Sequence, residues 1–220
     1  MKSRLLKLKA VAGAVAALLC AGCASNQQEA PPPKPGSSIH EHYQIADEAH
    51  AAIQAAMSAL DEVRGVSTNV PARSLENLSA TINRLQVDST RLRARAQTIH
   101  QRGDAWFENW RENLAEIQDP ALRARIEAKH LDLRRSFEKI KTLSQEARTN
   151  FQPFLQGLRQ IRNALEAGPS SASEDRLSQA IETSGKHGVE VERCIGGVKA
   201  ELESMRQMLG LDPFEERSGR

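Results

Sequence analysis

The chain has 220 residues, 30 of them basic and 28 acidic, with aromatic residues at 4%. Lys2, Arg4, Lys7 and Lys9 precede Cys23 and no acidic residue does, so the formal net charge of +2 belongs to the leader and gives no ground for a nucleic-acid partner. Of the three cysteines, Cys20 and Cys23 end that leader, which leaves Cys194 alone and excludes an internal disulfide framework.

The leader itself reads as a secretory signal: a positive start, then an apolar run from Ala10 to Ala21 that ends in small residues. At about a dozen residues the run is too short to span roughly 30 Å of hydrocarbon. The stretch "LLCAGCASN" resembles a bacterial lipobox, with Cys23 after Ala21 and Gly22 as the lipidated residue and Cys20 where leucine is usual. The resemblance implies diacylglycerol and an N-acyl chain such as palmitate on Cys23, each buried methylene adding about 0.8 kcal/mol of hold. Ser25, by resemblance to Gram-negative lipoprotein sorting, implies the outer membrane, with the chain facing the periplasm. Residues 24–38, including "PPPKPGSS", are expected to be a flexible, proline-rich tether, of which Gln27 to Ser38 would reach about 35 Å at about 3.1 Å per residue.

Residues 39–211 show apolar positions spaced three and four apart and no alternating strand pattern, which predicts an all-α fold. The first helix carries Ile39, Tyr43, Ala46, Ile53 and Leu60 and fades at "RGVSTNVP". The second runs from Leu75 to Ile117 with an unbroken three-four stripe that includes Ser89, Ala96, Gly103, Trp106 and Trp110. Asp119 and Pro120 predict an N-cap followed by proline at the first helical position. The third helix continues to Leu165 through Phe137, Ser144, Ala147 and Phe151, with Pro153 expected to kink it and a helix end capped by Asn150 as the competing reading. The fourth extends from Leu177 to Leu209, its glycines read as points of close packing with a flexible, partly broken helix as the competing reading, and 212–220 is expected to be a disordered tail.

Short connections make neighbouring helices antiparallel. The expected architecture is an elongated antiparallel bundle, or coiled coil, of about four helices around a long central hairpin of the second and third. With the turn near Asp119, Gly103 falls opposite Phe137, where a missing side chain would admit the ring. The apolar stripes are expected to be consumed in gripping one another, which leaves no pocket.

No residues are assigned to catalysis: a phosphate loop, a nucleophile elbow and a second Cys-x-x-Cys to pair with the Cys20–Cys23 spacing of the leader are all missing from the sequence. "DEAH" ending at His50 and "EAKH" ending at His130 have carboxylate–histidine spacing, but the bundle register holds them roughly 30 Å apart at about 1.5 Å per residue, so no metal site and no cofactor are assigned. "HEH" puts His40 and His42 on different sides of a helix. "GDAWFENW" is the most distinctive segment, with Trp106 and Trp110 on the stripe, packing against Leu133, Met205 and Leu209, and Phe107 at its edge. All three are candidate partner-binding residues. Cys194 is read as a small buried hydrophobe.

The run "RGDAWFENWRENLAEIQDPALRARIEAKHLDLRRSFEKIKTL" and the later "FQPFLQGLRQIRNAL" resemble an uncharacterised bacterial family of secreted or lipidated coiled-coil helical proteins, a domain of unknown function. The resemblance covers most of Ile39 to Leu209 and implies an envelope protein with no assigned activity. Together these readings give the expectation of a non-enzymatic spacer, scaffold or adaptor held to the membrane by a lipid anchor, with an envelope protein or a second copy as partner. The alternative is a helical module that carries a small hydrophobic ligand or a metal.

Overall fold

Four helices account for nearly all of the described residues, which in the computed structural model are 35–64, 70–168 and 171–214. The leader and Cys23 lie outside the described residues. The helices are α1 (Pro35–Val63), α2 (Ala72–Leu114), α3 (Pro120–Ala167) and α4 (Ser171–Leu209), with no strand among the described residues. This is the expected all-α antiparallel bundle. None of the described helices is long and apolar enough to cross a membrane.

α1 takes in Pro35 to Ser38, which the sequence reading placed in the tether; proline suits a first turn because its missing N–H would be unpaired there anyway. α3 opens as expected, with the Asp119 carboxylate accepting from the Ala121 N–H at 2.9 Å and the Leu122 N–H at 3.3 Å. The helix runs unbroken through Pro153, which lies on the exposed face where water can meet the carbonyl it frees. Asn150 caps nothing; its amide donates to the Glu146 carbonyl and its oxygen meets His187 Nδ1 at 3.1 Å.

Each helix packs on two neighbours in the cyclic order α1, α2, α3, α4. Polar pairs across the seams report the register: Glu48 with Arg91 and Arg95 joins α1 to α2, and Asp47 with Lys199 at 2.6 Å joins α1 to α4. Lys139 with Glu201 at 2.5 Å ties α3 to α4, and Asp104 with Lys141 at 3.0 Å ties α2 to α3. Second contacts along each seam, Glu41 with Arg102, Phe107 with His130, Asn150 with His187 and Met57 beside Gly188, show numbers rising on one helix as they fall on its neighbour, as antiparallel packing requires.

Small residues set the closest approaches. A Cβ at Gly103 would collide with the Phe137 ring, as the sequence register anticipates, and one at Gly188 would meet Met57 and Phe154. Gly197 lies against Leu143, whereas Gly196 faces open space, so close packing explains only some of the α4 glycines. The tail is docked as far as Phe214, which stacks on Tyr43 with centroids 4.0 Å apart, where the sequence reading expected disorder; residues 215–220 lie outside the described residues. α3 makes its most extensive contact with α4, and its contact with α2 is the sparsest of the four seams.

Candidate functional site

The open seam follows from the residues at its middle. Antiparallel register sets Ser89, Ala96, Ser144 and Ala147 in the α2–α3 seam, where each side chain is too short to reach the opposite helix. Ala46, Ala49 and Ala52 present an equally shallow wall on α1. The result is a slot of about 390 Å³, floored by α1 and by Val191, Ile195 and Val198 of α4. It extends along α2 from Leu85 to His100, about 22 Å at 1.5 Å per residue. The slot also divides the core: Ile45, Leu92 and Ile99 form an apolar cluster of their own, apart from the main one. This overturns the expectation that the stripes leave no pocket.

The lips are polar. Arg93 on α2 and Arg148 on α3 both line the slot, are exposed, and by register stand at one level. Among the described residues neither makes an ion pair or hydrogen bond, so two like charges oppose each other across the opening and disfavour its closure.

One end of the slot is histidine. His42 is 4% exposed and its ring meets that of His100 edge to face, with centroids 5.2 Å apart. Among the described residues His42 makes no hydrogen bond, and His100 Nε2 is buried without a partner. Burial, with His100 nearby, holds the His42 pKa down to about 3. Burial and then Lys141 lower that of His100 too, against the opposing pull of Asp104 and Glu138. Both rings are therefore neutral near pH 7. Lys141, at the same end, is engaged by Asp104 at 3.0 Å and Glu138 at 3.1 Å; burial works against its charge, but these bonds lift its pKa above the ordinary value. Phe137 closes this end, its ring perpendicular to that of His100.

The aromatic segment lies next to the closed end. Phe107 is 2% exposed and packs on Phe137, while Trp106 and Trp110 are half-buried around it. This corrects the sequence assignment, which put the tryptophans inside and Phe107 at the edge. His130 is not a ligand candidate there; its ring is hydrogen-bonded to the Phe107 carbonyl at 3.2 Å and lies edge-on to Trp110.

Neither His42 nor His100 was singled out as a site from sequence, since a histidine beside a stripe looks like any surface residue. The run of small residues at seam positions was the available signal. The structure also brings together Glu146, Glu190 and buried Cys194, with ligand atoms within 4.8 Å of one another. Arg193 bonds both carboxylates, at 3.1 Å and 2.6 Å, and so already occupies the charge centre of that group. Burial pushes the Cys194 thiol pKa up, away from the thiolate a metal needs.

No curated protein and no solved structure matches the chain. Residues 37–166, which carry His42, His100, both lips of the slot and the aromatic segment, match the family described as "Protein of unknown function (DUF2959)", and the chain belongs to that family.

Proposed function

We propose that the protein is a non-enzymatic binding module, held to the outer membrane by a lipid on Cys23 and facing the periplasm, that takes a small hydrophobic ligand into the slot between α2 and α3. The observation that carries this reading is the slot itself. At about 390 Å³, with alanine, leucine, isoleucine and valine walls and a polar mouth, it has the size and lining of a small-molecule site. The anchor rests on the leader sequence alone. A rod packed solid would serve as a spacer equally well, and its seam would contain larger residues.

The test is native mass spectrometry of the chain purified from envelopes, beside a variant with Ala49→Leu and Ala96→Leu. The wild-type chain should retain an added mass that organic extraction removes, and the filled variant should lose it while melting at the same temperature or higher. Equal, ligand-free masses for both would reject the binding module. The scaffold or adaptor reading would then stand, with Trp106 and Trp110 as its contact surface, since both rings remain partly exposed. The same spectra test the anchor: the acyl mass should be present in the wild type and lost in Cys23→Ser.

A further inference from the structure

Resting on that reading, we infer that the slot takes a linear chain bearing one polar end group that both donates and accepts hydrogen bonds, and that His42 and His100 hold this end. Shape gives the first part. A volume of about 390 Å³ drawn out over about 22 Å makes a narrow channel, which suits an extended chain better than a compact ring system. Ala46, Ala49, Leu92, Ala96 and Ile195 give the chain apolar contact along its length.

The histidines give the second part. Both line the slot, His42 is nearly fully buried with no hydrogen bond among the described residues, and His100 Nε2 is buried and unpartnered. A buried polar atom such as His100 Nε2 left without a hydrogen bond is costly, so native structures rarely leave one open. A neutral imidazole offers one N–H donor and one bare nitrogen acceptor. Two such rings, edge to face at 5.2 Å, match a group with both functions: a hydroxyl, a protonated carboxylic acid or a primary amide. An anion fits poorly, because the nearby Lys141 is already neutralised by Asp104 and Glu138. A metal fits poorly too, since among the described residues no third ligand joins the pair.

The probes are 1-dodecanol and dodecane, equal in chain and different at the end, offered to the full chain in the wild-type and His42→Leu/His100→Leu forms. Binding is read by displacement of the apolar dye N-phenyl-1-naphthylamine. The ratio of dodecanol to dodecane affinity should fall at least tenfold in the double variant, with dodecane bound as well as before or better. Nitrogen-15 spectra of the wild-type histidine rings need no variant: His42 and His100 should shift with dodecanol and stay in place with dodecane. An unchanged ratio, or ring signals indifferent to dodecanol, would overturn the end-group assignment and leave the slot as a site for plain hydrocarbon. Binding of neither chain would overturn the binding-module reading along with it.

Discussion

Phe107 shows how much one position matters. Its ring is 2% exposed and touches Trp106, His130 and Phe137, so Phe107→Ala removes a buried ring in a crowded place and should cost about 3–5 kcal/mol. For a domain of this size that lowers the melting temperature by roughly 10 °C, and calorimetry checks it. His42 makes a different prediction. Its folded pKa of about 3 lies below the ordinary histidine value of 6.5, so between these values the unfolded chain binds the extra proton and stability rises with pH. The contribution is fully present above about pH 6.5 and is lost as pH falls. Between pH 7 and pH 5 the loss amounts to about 2 kcal/mol, because a full proton's difference between the two states is worth about 1.36 kcal/mol for each step of one in pH. Urea unfolding should show at least that loss in the wild type, where His100, also lowered by burial, adds in the same direction, and a flatter profile in His42→Leu. Glu203, held at about 2 by Arg206 and Gln207, acts in the same direction only at lower pH, below the range of that test.

At the scale of the helix, the misplacement of the tryptophans has a geometric cause. A strict seven-residue repeat slips by about 20° per heptad on a straight α-helix. Over the four and a half heptads between Leu75 and Phe107 the slip approaches the roughly 100° that separates adjacent residues. The buried face therefore moves on by one position, from Trp106 to Phe107 and from Asn113 to Leu114, both of which are buried. No such slip affects the start of α3, because its origin is fixed locally by Asp119. Asp119→Ala should cost about 1 kcal/mol, and hydrogen exchange should accelerate first at Ala121 and Leu122, the amides that lose their acceptor. α4 tolerates its glycines because Gly188 and Gly197 are covered by Met57, Phe154 and Leu143, so backbone entropy is offset by contact that a larger residue would block.

Across the whole molecule, the bundle is tightest where large residues face glycines and loosest where small residues face one another. Gly103 under Phe137 closes one end of the slot, while Leu85, Ile53 and Phe151 begin the dense core at the other. Between them the helices are held at their ends and by the α1 and α4 floor, which lets the seam remain open without costing the fold its integrity. The sequence by itself determined the helix count, the antiparallel order, the cap at Asp119 and the meeting of Gly103 with Phe137. All of these follow from spacing, local hydrogen bonding and short connections. Only the tertiary structure decided which aromatic ring is inside, that Phe214 folds back onto Tyr43, and that His42 and His100 meet at the end of an open slot. The reason is that periodicity states which side of a helix faces inward, whereas the gap between two helices depends on the summed sizes of side chains far apart in the chain.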